Sequence, residues 1–481
     1  MATNAATVEQ WDIFEVELAG PNDGNPFLEV NLTADFRQGE RLFTPDGFYD
    51  GDGVYRVRFM PDAPGEWTFH TFSNRPELDG QTGSFTCTAP APGNHGPVHV
   101  RNTWYLAYAD GTPYHQIGTT CYAWTHQPQE LQLQTLDTLA QSPFNKLRMC
   151  VFPKSYRYNK NEPELYPYEG APLTDWDFTR FNPAFWRHFE GRVTELRELG
   201  IEADIILFHP YDRWGYASMN AAEDDRYLRY AVARLASCRN VWWSMANEFD
   251  LMEDKIEADW DRFFQVVQQA DPYNHLRGIH NCREWYDHTR PWVTHASIQS
   301  HSFDEIRQWR EKCRKPILID ECRYEGNLPH HWGDLTSEEM ARYFWLGTMA
   351  GAYVGHGETY QHPEDIIWWS KGGVLRGESP ARIAFLKDIM SEAPPFEALT
   401  PEPGPADGVL ALALPGSQYL YHFTDAGEIE ITLPGDQAYR VDRVDAWEMT
   451  VERMPGVVSG GVRLEAPKGD YLLRLTVDAS G

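Results

Sequence analysis

The sequence predicts an α/β chain in which a (β/α)8 barrel is flanked by two small β-sandwich domains. Three observations predict it. Short alternating strands crowd both ends of the chain, strand and helix patterns alternate through its middle, and proline-rich breaks separate the three zones. At 481 residues the chain also exceeds the size at which a single hydrophobic core stops growing, so several domains are required.

Residues 8–90 form the first zone. Phe14, Val16 and Leu18 alternate with Glu15 and Glu17, as in a half-buried strand. Residues 54–59 repeat the pattern, a Pro-Asp-Ala-Pro-Gly turn follows, and another strand runs over 66–70. That spacing predicts a sandwich. Ala89-Pro90-Ala91-Pro92-Gly93 reads as a linker.

The second zone, 96–395, holds eight candidate strands at 116–119, 147–152, 203–208, 241–245, 276–279, 296–299, 317–319 and 353–355. Helical patterns fall between most of them. One opens at Asn182-Pro183, a capping residue followed by proline in the first turn. Its apolar residues Phe185, Phe189, Leu196 and Leu199 recur at helical spacing, and Gly200 closes it. Another opens at Ser337 with Glu338 and Glu339 in its first turn. Eight such units over about 300 residues are the repeat of a closed barrel. An open doubly wound sheet fits the alternation too, but no Gly-x-Gly-x-x-Gly follows a strand to support it.

The third zone, 396–481, is announced by Pro394-Pro395 and Pro401-Glu402-Pro403-Gly404-Pro405. Strand patterns at 410–414, 419–423, 429–433 and 471–477 predict the second sandwich.

Composition narrows the function. The net charge of −29 repels a nucleic-acid backbone and an anionic bilayer alike, so neither is an expected partner. Seven scattered cysteines form no Cys-x-x-Cys pair, so no zinc or redox motif is expected. Unpaired thiols in predicted strands, with no basic start and apolar core near residue 1, point to the cytoplasm. The 18 Trp, 24 Tyr and 24 Phe suit either large cores or clefts that stack sugar rings.

Barrel enzymes carry reactive groups where strands end, at the C-terminal face. Two carboxylates directly follow apolar strand runs. Val241-Trp242-Trp243-Ser244-Met245-Ala246 leads into Asn247-Glu248, and Ile317-Leu318-Ile319 leads into Asp320-Glu321. A lone Glu at a strand end caps a helix or pairs with an arginine. Two of them, on strands four and seven of eight, lie nearly opposite across the barrel mouth. Hydrolysis of a glycosidic bond needs two such carboxyl groups facing across the scissile bond, about 5–5.5 Å apart for double displacement. The acidic surface makes neutral glycosides the best-fitting substrates.

Trp-Ser-Met-Ala-Asn-Glu paired with Pro-Ile-Leu-Ile-Asp-Glu resembles clan A of the retaining glycoside hydrolases. The whole chain is similar to a bacterial subgroup near the apiosidase-like barrels, which carry sandwiches at both ends. The resemblance implies that Glu248 is the acid/base and Glu321 the nucleophile. It implies that Asn247 binds the sugar 2-hydroxyl and that Arg148 keeps the nucleophile ionised. His209 and His301 fall where the clan places polar residues around the cleaved sugar. The eighth strand departs from the clan: Gly355-His356-Gly357-Glu358 stands where many members end in a tryptophan. His356 and Glu358 are therefore expected to bind sugar hydroxyls, with Trp369 or Trp124 supplying the missing ring. The long loop 153–176, bearing Tyr156, Tyr158, Tyr166 and Tyr168, is expected to wall the pocket. Glu325 is the rival nucleophile, and Asp320 is expected to face away from the mouth.

Other readings remain at this point. A metal-dependent barrel hydrolase would use a His-x-His on strand one, which is lacking, and His330-His331 lies in a predicted loop without strand-end carboxylates. No metal or cofactor is expected. A carbohydrate-binding protein on a barrel scaffold would not need both glutamates, whereas a transglycosidase would use the same ones. The expected partner is a small carbohydrate, cleaved from a chain end, and the sandwiches permit a homo-oligomer.

Overall fold

The computed structural model describes residues 6–478, apart from 173, 174, 330, 331, 365, 393 and 436. His330 and His331 thus lie outside the described residues.

Eight parallel strands form the central sheet: β1 (Ile117–Thr120), β2 (Lys146–Cys150), β3 (Glu202–Phe208), β4 (Val241–Ala246), β5 (Arg277–Gly278), β6 (Ala296–Gln299), β7 (Ile317–Glu321) and β8 (Tyr353–His356). Their hydrogen-bonded order is 5-4-3-2-1-8-7-6. A parallel bridge between His280 and Ser297 joins the two edges and closes the barrel. Closure removes exposed strand edges. β5 is shorter than the predicted 276–279, and no helix follows it among the described residues before β6. The other crossovers each contain a helix.

Local signals act as the sequence predicts. The Asn182 side chain accepts from the Ala184 amide at 3.1 Å, capping the helix Pro183–Glu198. Gly200 follows it at φ 72°, a left-handed conformation that costs glycine little. Phe185, Phe189 and Leu196 are buried, but Leu199 is exposed. It occupies the last-turn cap, where the helix has already left the barrel wall. Helix Ser337–Met349 opens where expected and is capped by Thr336 in a reciprocal pair with Glu339.

The N-terminal region has two sheets, one of five strands and one of three. Between them Phe14 stacks on Phe85 and Phe36 on Phe59. A buried ionic network fastens this region to the barrel: Arg234 reaches Asp50 at 2.9 Å and also pairs with Glu190, which Arg58 approaches at 3.0 Å. At the other end, a six-stranded sheet and a two-stranded one enclose Tyr421, Phe423, Tyr439 and Leu475. Arg342 holds Asp470 of that region through two nitrogens, at 2.6–3.0 Å.

Candidate functional site

The barrel interior sets the geometry of its mouth. Strand alternation points Lys146 and Arg148 of β2 inward, together with Asp204 of β3 and Asp320 of β7. Lys146 bridges Asp204 at 2.9 Å and Asp320 at 2.6 Å, and Ser297 donates to Asp320 at 2.5 Å. Asp320 thus faces the barrel interior, one layer beneath Glu321, and its pKa is depressed by the adjacent lysine and arginine against the effect of burial.

Above this layer a cavity of about 740 Å³ opens at the C-terminal ends of the strands. Asn247, Glu248 and Glu321 line it, with Tyr122, Lys154, Tyr211, Tyr324 and Trp369. Glu248 ends β4 in the left-handed region, φ 51° and ψ 54°. Such a conformation is uncommon for a side chain with a Cβ and is found at functional sites, where surrounding structure enforces it. Here it turns the carboxyl into the cavity. The Tyr211 hydroxyl donates to Glu248 Oε2, and Asn247 Nδ2 donates to the same oxygen at 3.2 Å.

Glu321 ends β7. The Tyr122 hydroxyl donates to its Oε1, Arg148 Nη1 stands 3.5 Å away and His280 Nε2 3.4 Å away. Arg148 does not line the cavity; it lies beneath and also donates to Asn247 Oδ1 at 3.1 Å. The two carboxyls are therefore linked through Asn247 and Arg148.

Their proton affinities are driven apart. Burial, then the charge of Glu321, raises the pKa of Glu248, and this exceeds the lowering by Lys154 and Tyr211. Burial acts upward on Glu321 too, but the His280 imidazole, Arg148 and Tyr122 outweigh it, so its pKa is depressed. One group is poised to give a proton and the other to stay anionic, which is the division of labour between a general acid and a nucleophile.

The remaining expected residues divide. Trp369 lines the cavity within an aromatic cluster of Tyr122, Tyr156, Tyr158 and Tyr324, ring centroids 5.2–6.5 Å away. His301 is exposed at the rim, edge-on to Trp332. The loop after β2 does wall the cavity through Tyr156 and Tyr158, but Tyr166 and Tyr168 pack on Trp176 and Phe181 instead. Trp124 lies off the cavity, because the short 3-10 turn after β1 buries its ring in the barrel core. His209 is buried too; its Nε2 lies 3.2 Å from the Phe152 carbonyl and ties the ends of β2 and β3 together.

His356 and Glu358 are also off the cavity, and the reason is strand phase. Gly118 pairs with Lys146 on one side and Gly355 on the other, so Gly355 faces inward and Thr119 and His356 face outward. His356 stacks on Phe144 and contacts Thr119 Oγ1 at 3.1 Å. Glu358 accepts the Arg376 and Gly377 amides at 2.8 Å each. Glu325, the rival nucleophile, is buried beside them and accepts from Ser337, Ser379, Tyr360 and the Glu378 amide. Ligating atoms of Glu325, His356 and Glu358 lie within 4.8 Å of one another. Among the described residues this is the cluster that could hold a cation, though both carboxylates already serve as hydrogen-bond anchors for the loops around them.

Tyr122, Lys154, Tyr211, His280 and Tyr324 were not singled out by the sequence. Each follows a barrel strand by two to four residues, so the strand-end rule that found the glutamates reaches them as well. What it lacks is a reason to choose Tyr122 over Trp124, or Tyr211 over His209.

Comparison with known proteins agrees with this architecture. A family model described as the apiosidase-like catalytic domain matches residues 100–420. Two domains of unknown function, DUF5060 and DUF5605, match 7–74 and 412–476. No curated protein matches the sequence. A solved candidate glycoside hydrolase from Bacteroides vulgatus ATCC 8482 is 39% identical, with a TM-score of 0.93 over 98% of this chain and 100% of that one. A family 5 glycoside hydrolase from the same organism is 16% identical with a TM-score of 0.64, over 82% of this chain and 95% of that one; it shares the fold. With its catalytic-domain match spanning two thirds of the sequence, the chain belongs to the apiosidase-like family, on a glycoside-hydrolase barrel.

Proposed function

We propose that the protein is a retaining, exo-acting glycoside hydrolase that works on short glycosides. The observation that carries this reading is the pair Glu248 and Glu321: two strand-end carboxyls in one cavity, one with raised and one with depressed proton affinity. Glu321 attacks the anomeric carbon while Glu248 protonates the departing oxygen. Glu248 then activates water to release the sugar from Glu321 with its configuration retained. Asn247, held by Arg148, is in place to bind the 2-hydroxyl. Arg148, His280 and Tyr122 keep Glu321 anionic and aimed.

Walls from the loops after β2 and β7 favour a chain end over an internal bond. Six buried free cysteines and a seventh half-buried suit the reducing cytoplasm, where short substrates are the ones available.

The test is a screen of nitrophenyl glycosides across sugars and ring forms, followed by proton NMR of the first product. Retained configuration is expected, with Glu321→Gln inactive and Glu248→Ala rescued by azide on an activated substrate. An inverted product, or near-normal turnover by Glu321→Gln, overturns the assignment.

A further inference from the structure

The cavity is lined by more cations than carboxylates, although the chain as a whole carries −29. Lys154, Arg157 and Arg283 line it together with Glu248 and Glu321. Cations elsewhere in this acidic protein are mostly consumed by neighbours; Arg213 at the same end of the barrel pairs with Glu162.

Lys154 is the most telling. It is only 2% exposed, yet among the described residues its ammonium has neither an ion-pair partner nor a hydrogen-bond acceptor. It is held instead on aromatic faces, 3.6 Å from the Tyr122 ring centroid, 4.2 Å from Tyr211 and 4.9 Å from Tyr156. Tyr122 donates to Glu321 and Tyr211 to Glu248. The ammonium therefore lies against the two tyrosines that hold the carboxyl groups, in the lining of the same cavity. An ammonium with no protein acceptor, open only to the cavity, is incompletely solvated, and cation–π contact offsets part of that cost. Glu248 and Glu321 attract its charge without contacting it, and Arg148 and His280 already flank Glu321. Burial accordingly lowers the Lys154 pKa, and an incoming anion would restore it.

Arg157 and Arg283 continue the same sign outward. Both are exposed at the rim, and neither makes an ion pair among the described residues; Arg157 lies 5.5 Å over Tyr158. A buried cation with two more at the entrance is a path for an anion into a cavity whose surroundings repel anions.

Building on the glycosidase reading, we infer that the substrate is an acidic saccharide, a glycoside carrying a sugar carboxylate that Lys154 receives while Arg157 and Arg283 guide it in. The acidic surface as a whole favours neutral sugars, but a guanidinium or ammonium within hydrogen-bond reach dominates over distant charges screened by about 8–10 Å of electrolyte.

Binding tests this without requiring turnover. In full-length Glu321→Gln, calorimetry compares D-galacturonate and D-glucuronate with D-galactose, D-glucose, the uronate methyl esters and galactose 6-sulfate. The uronates are expected to bind at least about tenfold tighter than the esters and neutral sugars, as one charge-assisted hydrogen bond supplies. Rising salt should erode that preference. Lys154→Met should abolish it. Arg157→Gln with Arg283→Gln, at exposed positions that tolerate change, should weaken uronate binding and its salt dependence even if Lys154→Met does not fold. Equal or weaker binding of the uronates, no binding of any probe, or an unchanged preference in these variants overturns the inference. Tighter binding of the sulfate than of the uronates overturns the carboxylate assignment. Retaining cleavage of a neutral glycoside without uronate preference would leave the hydrolase reading standing alone; uronate binding with no glycoside cleaved would do the reverse.

Discussion

The hydroxyl of Tyr122 donates to Oε1 of Glu321 while standing 3.0 Å from Oδ1 of Asn247. A phenol has one proton, and the carboxylate is the stronger acceptor. Asn247 Oδ1 is left to the Arg148 guanidinium. Arg148, which donates to Asn247 Oδ1 and to the Tyr122 oxygen, thus couples the end of β4 to the Tyr122–Glu321 pair at the end of β7.

Replacing Tyr122 by Phe removes that bond and keeps the ring under Lys154. Loss of a hydrogen bond to a charged group removes about 1.5–3 kcal/mol, so kcat/KM is expected to fall roughly 10–150-fold. The acidic limb of its pH profile should move upward, because Glu321 loses a group that favours its ionised form. A profile identical to the parent's would assign Tyr122 to packing alone.

Activity is expected to be bell-shaped in pH. As pH falls through the depressed pKa of Glu321, the nucleophile is protonated and activity is lost. As pH rises through the raised pKa of Glu248, the acid is lost. Glu248→Gln, assayed on an activated aryl glycoside, should keep the acidic limb and lose the alkaline one.

Glu358 carries a stability signature distinct from catalysis. Burial pushes its pKa up to about 7 from 4.5. The folded state thus holds a proton that the unfolded chain releases, so folding stability falls as pH rises from 4.5 until the folded value is passed. Glu358→Gln loses one of two acceptors for the Arg376 and Gly377 amides, at a cost of about 1–3 kcal/mol. Its thermal midpoint should nevertheless vary less between pH 5 and 8 than that of the parent.

Arg234 is buried between Asp50 and Glu190. Arg234→Ala leaves both carboxylates short of a cation where the N-terminal region meets the barrel, and about 3–5 kcal/mol of destabilisation is expected. Thermal melting should show a lower midpoint, and limited proteolysis should cut first around residues 89–93.

Much of the barrel was legible because period and burial are local properties. Strands four and seven begin as nearly continuous apolar runs, and their ends expose Glu248 and Glu321. The eighth strand misled because Gly355-His356-Gly357-Glu358 offers no apolar alternation to set its phase. One residue of phase moves His356 from the cavity to the helix layer. Net charge is a different kind of quantity: −29 is a sum over the whole chain, whereas a cavity responds to the few groups inside it.

By itself, then, the chain's residue order determined the three-zone architecture and which carboxyls end the fourth and seventh strands, since alternation and capping need only near neighbours. Tertiary structure alone decided that Tyr122, Lys154, Tyr211 and His280 gather around those carboxyls. Loop side chains take their direction from packing against segments 37 to 199 residues away, and no short-range pattern encodes that direction.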